Sequence, residues 1–287
     1  MTSNGKVNGN ERGIEALANA TPRAYFAEDA EGVTLGTGTV EARFSGIRGG
    51  RLKSWQWRTI PPPDALNPAT RHDPPRLLTL ADSPHGALVD HFLPLGTRLE
   101  DFAAGTHREF GDFVEEPYAQ QVMDLGGEIR VAFQRDGAIK AGKRVADVRL
   151  MKSAGVRPGS SDLSVLYRVI NSSLRPIQIL FAVEYNLYAP GLAEDPNASG
   201  DAFYLVDGAR PPSSSLAEAG VSPAATSATL ANPTSEIALQ LGWDRECDLW
   251  RMPSPSGKPG AICLLAVWRL SLPPRDNWAL GLWLAPV

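Results

Sequence analysis

The chain has 287 residues, of which 43% are hydrophobic and 7 are tryptophan, so it can bury a substantial core. Its formal net charge of −4, its pI of about 5.6 and the absence of a Lys/Arg run argue against nucleic acid or a membrane surface as the main partner. The 2 cysteines, Cys247 and Cys263, are too few for a disulfide framework, and we predict buried free thiols in a reducing compartment.

The N-terminal residues, 1–20, are rich in Asn, Gly and Ala and have no regular apolar pattern, which predicts a disordered leader with a short helical turn around 13–20. They lack the apolar run of a signal peptide, and no segment reaches the roughly 18 apolar residues of a membrane helix. We therefore expect a cytoplasmic protein with a single folded domain over residues 21–287.

From about residue 25 onward, short apolar runs alternate with Gly, Pro, Asn and Ser, which is typical of a β-sandwich or barrel. In the clearest strand, Ile129, Val131 and Phe133 lie on one face, and the same period of two recurs over 163–169, 177–185 and 278–284. No apolar stripe of helical period is long, and 24 Pro with 27 Gly would interrupt helices. The pattern predicts an all-β antiparallel fold with few, short helices.

Two long loops are predicted. Residues 60–75 are rich in proline, and 189–226 include a Pro-Pro-Ser-Ser-Ser run that is typical of an insertion at a sandwich edge.

Acidic and aromatic side chains concentrate in two segments, 90–93 and 107–118, which include Asp90, His91, Glu109 and Asp112. Acids beside aromatic rings are frequent in sugar-binding sites. The alternative is that the aromatic residues belong to the core and the acids line a solvated loop. Hydrolysis of a glycosidic bond would need two carboxyl groups at a set separation, which a sequence does not give.

Glu184 shares a strand face with Ala182, Asn186 and Tyr188 in the predicted strand 177–185. Together with His91 it could act as the general acid and base of a sugar mutarotation. The alternative is that Glu184 forms an ion pair with an arginine of a neighbouring strand.

Trp55 and Trp57 are two residues apart and therefore share one face of a strand. They could stack on sugar rings, or they could be buried between two sheets. Since Leu52, Ser54 and Gln56 make a poor core face, the interior position is favoured, and sugar contact stays the second possibility.

The histidines His72 and His85 lack the spacing of a metal site, and Cys247 and Cys263 have no Cys-x-x-Cys partner, so we predict no zinc. The Gly36-Thr-Gly38 segment is not followed by a helix, and we expect no phosphate loop and no cofactor.

Five short motifs in a fixed order carry a family resemblance: Gly49-Gly-Arg-Leu52, Asn67-Pro-Ala-Thr-Arg71, Leu88-Val-Asp-His-Phe-Leu93, Glu109-Phe-Gly-Asp-Phe-Val-Glu-Glu-Pro-Tyr118 and Phe181-Ala-Val-Glu-Tyr-Asn-Leu187. The chain resembles the C-terminal β-sandwich domain of glycoside hydrolase family 57 α-amylases and 4-α-glucanotransferases. The match runs from about residue 25 to 188 and continues weakly through 243–250. The resemblance implies a galactose-mutarotase-like supersandwich.

In that family the catalytic Glu and Asp belong to an N-terminal barrel with a His-Gln-Pro signature, and this sequence contains no His-Gln-Pro. No catalytic residue is therefore carried over. The resemblance implies a non-catalytic domain that binds α-glucan or maltodextrin, or that docks on a separate family-57 catalytic chain. The candidate carbohydrate-binding residues are Trp55, Trp57, Asp90, His91, Glu109, Asp112 and Glu184. The alternatives are a mutarotase or epimerase that uses His91 and Glu184, and a remnant without function.

Overall fold

The computed structural model describes residues 23–57, 76–78, 86–141, 144–188, 202–233, 238–254 and 261–287. Within these ranges the backbone forms one short helix, α1 (Leu99–Ala103), and the following strands: β1 (Tyr25–Asp29), β2 (Gly32–Gly36), β3 (Val40–Ser45), β4 (Arg51–Trp57), β5 (Arg76–Leu78), β6 (Ala87–Leu93), β7 (Ala119–Asp124), β8 (Ile129–Ala141), β9 (Arg144–Val156), β10 (Leu163–Asn171), β11 (Ile177–Tyr188), β12 (Phe203–Val206), β13 (Gly220–Ala231), β14 (Leu239–Pro253), β15 (Ala261–Leu272) and β16 (Asn277–Pro286). The predicted antiparallel all-β fold is confirmed.

The strands follow one path in the order β1-β2-β3-β4-β6-β11-β15-β14-β16-β10-β9-β8-β7, with β5 beside β4 and with β13 and β12 beside β14. Strand β14 pairs with β16 through Leu239–Trp243 and with β15 through Asp248–Pro253. It therefore joins a front sheet, β7 to β10 with β16, to a back sheet, β1 to β4 with β6, β11 and β15.

The main hydrophobic core fills the space between the two sheets. Phe44 of the back sheet and Phe133 of the front sheet have ring centroids 5.8 Å apart, and Tyr167 and Phe181 make a second such contact at 5.8 Å. Ile129 and Val131 are buried beside Phe133, so the predicted period of two in β8 is confirmed. Both cysteines are free and buried, as predicted.

A second, smaller core lies on the outer face of the back sheet. Leu99 and Phe102 of α1 pack there against Leu93, Leu180 and Trp250. The segment that contains α1, residues 94–118, thereby crosses the outer face of β6 and covers part of the back sheet.

The predicted loop 189–226 is wrong in part, because strand β12 and more than half of strand β13 lie within it. Strand β13 pairs with β14 through the backbone while many of its small and polar side chains stay exposed, so its sequence carries little apolar signal. The predicted leader 1–20, the loop 60–75, His72 and His85 lie outside the described residues. In the part of the chain that the structure describes, no helix is long and apolar enough to cross a membrane.

Candidate functional site

Strand β6 carries two buried polar residues, Asp90 and His91, on opposite faces of the back sheet. All of its residues are buried between β4 and β11. Because side chains alternate along a strand, Asp90 points into the main core with Leu88, and His91 points to the outer face with Leu93. Two candidates that are neighbours in sequence therefore belong to two different sites.

The outer site, which we call the His91 cluster, consists of His91, His107, Glu109 and Glu184. The Nδ1 atom of His91 lies 2.7 Å from a carboxylate oxygen of Glu109, and its Nε2 atom lies 2.8 Å from Glu184. The Nε2 atom of His107 lies 3.5 Å from the same Glu109 oxygen. Segment 94–118 supplies His107 and Glu109, and strand β11 supplies Glu184.

Strand register explains why His91 reaches Glu184. His91 lies opposite Ala182 of β11, whose small side chain leaves room for the imidazole to lean toward the diagonal residue Glu184. The amide of Asn186 donates a 2.7 Å hydrogen bond to the other oxygen of Glu184, and the Cys263 thiol lies 3.7 Å from that oxygen. Strand β6 supplies a histidine as one partner of Glu184, and the arginine that the sequence suggested stays a prediction.

The charges of this cluster depend on one another. Burial alone would lower the pKa of His91, but the carboxylates of Glu109 and Glu184 outweigh it and raise this pKa from 6.5 to about 10. Burial opposes the ionisation of Glu109, yet His91 and His107 lower its pKa from 4.5 to about 2. His91 is therefore an imidazolium held between two carboxylates at neutral pH.

The cluster offers little access to a bulky substrate. His91 and Glu184 are each only 3% exposed. The ring of Phe102 lies against His91 with centroids 5.2 Å apart and stacks on His107 at 4.3 Å. Glu109, with 27% of its side chain exposed, and His107, with 19%, are the members that reach solvent.

Asp90 belongs to a buried ion pair in the main core. Lys152 of β9 donates hydrogen bonds of 2.9 and 2.8 Å to the carbonyl oxygens of Gly49 and Leu88 and lies 2.8 Å from the carboxylate of Asp90. The hydroxyl of Tyr118 donates to the same carboxylate at 3.1 Å. This arrangement links the two sheets and leaves Asp90 fully buried, so it supports a structural role for that acid.

Asp112 forms an ion pair with Arg135 of β8 at 2.5 Å, and about half of its side chain is exposed. Trp55 and Trp57 are 0% and 4% exposed, which is the interior position that the sequence favoured. Neither indole offers an open face for stacking on a sugar. The seven candidates thus divide between the His91 cluster, the buried ion pair, a surface ion pair and the core.

An open groove of about 720 Å³ on the outer face of the front sheet was missed by the sequence reasoning. Strand register builds its floor from two rows of residues across β7, β8, β9, β10 and β16: Gln121, Ala132, Ser153, Leu166 and Gly281, and Ala119, Gln134, Met151, Arg168 and Ala279. Asp244 also lines it. Trp283 lies two residues beyond Gly281, on the same face of β16, and is 39% exposed. It is therefore next to the end of the first row. Only the pairing of the strands brings these residues together, so no local sequence motif predicts the groove.

A family model described as "Alpha-amylase/4-alpha-glucanotransferase, C-terminal" matches residues 74–256, more than half of the chain. The alpha-amylase of Pyrococcus furiosus is 30% identical over 120 residues, which make up 42% of this chain and 16% of that protein. This chain therefore corresponds to a small part of that curated relative.

Two solved structures share the fold at low sequence identity. The 4-alpha-glucanotransferase of Thermococcus litoralis superposes with a TM-score of 0.60 and 14% identity, covering 96% of this chain and 41% of that chain. A galactose mutarotase-like protein from Clostridium acetobutylicum superposes with a TM-score of 0.58 and 13% identity, covering 92% and 98%. The predicted galactose-mutarotase-like supersandwich is confirmed.

Proposed function

This chain belongs to the alpha-amylase/4-alpha-glucanotransferase C-terminal family, and from this membership we propose that it acts as a non-catalytic accessory domain that binds α-glucan. The family connects the chain to carbohydrate metabolism. Binding of maltodextrin and docking on a family-57 catalytic chain are both consistent with such a role, and the groove on the front sheet favours glucan binding.

The groove is the observation that carries this proposal. Its floor combines small residues with hydrogen-bonding side chains, so a sugar chain can approach the backbone while Gln121 and Gln134 donate or accept hydrogen bonds and Arg168 donates them. Met151 and Leu166 supply exposed apolar contact beside them. A glucan needs this combination because each sugar ring has apolar C–H faces and a rim of hydroxyl groups.

The indole of Trp283 lies on the same face of β16 as Gly281, two residues beyond this groove residue. Its ring lies over Gly242 of β14, at which a Cβ atom would come within 2.1 Å of the indole. The glycine thus leaves room for the indole against the backbone of β14, while 39% of Trp283 stays exposed. An exposed, flat indole beside polar groups is suited to stacking on a glucose ring.

Calorimetric titration with maltoheptaose tests the proposal. We expect saturable binding to the intact chain and at least a roughly tenfold loss of affinity in Trp283→Ala, equivalent to about 1.4 kcal/mol. Leu174→Ala removes an exposed leucine (77%) that does not line the groove and serves as the matched control. Absence of binding to maltoheptaose and to glycogen would refute glucan binding, and equal affinity in Trp283→Ala would refute the contact of the glucan with this indole. A pull-down with a family-57 catalytic chain then tests docking.

A mutarotase activity is the second candidate, because His91 and Glu184 lie 2.8 Å apart on a fold shared with galactose mutarotase-like proteins. Its weakness is geometric: these two groups bond to each other and are buried, whereas an acid and a base that act on a sugar must flank it. Polarimetry of freshly dissolved glucose decides the matter. Equal rates with and without protein end this candidate, and acceleration that Glu184→Gln abolishes would replace the accessory role.

A further inference from the structure

The His91 cluster contains a set of donor atoms that suits a divalent transition metal. One imidazole nitrogen of His91, one of His107 and a carboxylate oxygen of Glu109 all lie within 4.8 Å of one another. Two histidines and one glutamate form a recognised ligand set for zinc, with a water molecule as the fourth ligand. The sequence did not predict this site because His91 lies on a strand and its partners lie in a separate loop segment.

Two of the three donor separations are close to those of a tetrahedral site, and the third, between the two imidazole nitrogens, is at most 4.8 Å. Ligand bonds of about 2.0 Å in a tetrahedral site separate the donor atoms by roughly 3.3 Å. The Glu109 oxygen lies 2.7 Å from Nδ1 of His91 and 3.5 Å from Nε2 of His107, so the present distances lie on either side of that value. Partly exposed Glu109 and His107 give an ion a route from solvent.

The surroundings orient the ligands as zinc sites require. Histidine ligands usually donate their second ring nitrogen to a carboxylate, and Glu184 accepts from Nε2 of His91 at 2.8 Å. Asn186 holds the other oxygen of Glu184 and so fixes that carboxylate. Phe102 stacks on His107 and limits the rotation of its ring.

We propose that His91, His107 and Glu109 bind Zn²⁺, with Glu184 as the residue that orients His91. The ion links the segment 94–118, which contains α1, to strand β6. It thereby stabilises the packing of this segment on the outer face of the back sheet. This site is independent of the groove on the front sheet and of glucan binding.

Calorimetric titration of EDTA-treated full-length protein with ZnCl₂ tests the site, and CoCl₂ provides a spectroscopic probe of tetrahedral nitrogen and oxygen ligation. We expect one Zn²⁺ per chain, a raised melting temperature, and no comparable binding of Mg²⁺, which prefers octahedral oxygen sites. His107→Ala should weaken Zn²⁺ binding by roughly 100-fold or more, and Glu184→Gln by roughly 10- to 100-fold.

Asp112→Asn is the matched control, since Asp112 lies in the same segment but pairs with Arg135. It should keep the affinity of the intact chain. His107 is partly exposed, so its alanine variant is expected to fold, which circular dichroism verifies. The proposal is overturned if the intact chain binds no Zn²⁺ at micromolar concentrations, or if folded His107→Ala binds it as tightly as the intact chain.

Discussion

Replacing Lys152 by methionine tests the buried ion pair between the two sheets. The three N–H donors of the ammonium face three acceptors, the carbonyl oxygens of Gly49 and Leu88 and the carboxylate of Asp90, at 2.8 to 2.9 Å. Burial lowers the pKa of Lys152 and Asp90 opposes that effect. The fully satisfied donors indicate that the lysine is charged.

The expected loss in the free energy of unfolding comes from the carboxylate of Asp90, which Lys152→Met leaves buried without its cation. Attraction between unit charges at 2.8 Å is about 6 kcal/mol at an effective dielectric constant of about 20, and desolvation of the two ions offsets much of it. Loss of one partner leaves the other charge buried and uncompensated, which costs about 3–5 kcal/mol. Asp90→Asn in the same chain removes that charge and keeps an acceptor for Tyr118.

Urea unfolding measures the effect. We expect Lys152→Met to reduce the free energy of unfolding by about 3–5 kcal/mol, and the double variant with Asp90→Asn to be less destabilised than the sum of the single variants by about 2 kcal/mol or more. Lys140→Met, at an exposed position of β8, is the control and should change stability by less than about 0.5 kcal/mol. A loss below about 1 kcal/mol in Lys152→Met, or strict additivity in the double variant, would refute the reasoning.

Three further changes probe segment 94–118 and its contacts. Because the pKa of Glu109 is lowered from 4.5 to about 2, its stabilisation is complete above pH 4.5 and disappears as the pH falls toward 2. We measure the urea midpoint of the metal-free protein between pH 4.5 and pH 2. It should fall less steeply with decreasing pH in Glu109→Gln than in the intact chain. Parallel curves for the two proteins would contradict the stabilising role of ionised Glu109. Asp112→Asn breaks an ion pair with a half-exposed acid and should cost less than about 1 kcal/mol in urea unfolding; a larger loss would mean that the pair fastens the segment. Phe102→Ala removes a ring that is 4% exposed, so we expect the free energy of unfolding to fall by about 3–5 kcal/mol and proteolysis within 94–118 to become faster. An unchanged rate of cleavage would show that the ring does not stabilise the packing of this segment on the back sheet.

The sequence predicted what depends on local pattern. Alternation at Ile129, Val131 and Phe133 predicted a half-buried strand, and the face shared by Ala182, Glu184 and Asn186 was placed correctly within β11. Both results follow from the period of two in a strand, which any register preserves.

What the sequence did not predict depends on which strands pair and in which register. His91 reaches Glu184 because β6 is paired with β11 so that His91 faces Ala182, with an irregularity after Glu184. The groove follows from residues on five strands whose sequence positions are far apart. Long-range pairing of this kind leaves no trace in the spacing of residues along the chain.

The passage of β14 from one sheet to the other also affects how copies of this chain meet. A sandwich of two separate sheets has four open edges, each able to add a strand from a neighbouring molecule. Continuity through β14 leaves the main strand path with two ends, β1 and β7, and the branch strands β5 and β12 give two further edges among the described residues. Strand β1 carries Glu28 and Asp29, and like charges oppose its pairing with a second β1. The shared strand thus joins the two sheets within the main path, and the charges of β1 oppose edge-to-edge pairing at one of the two ends of that path.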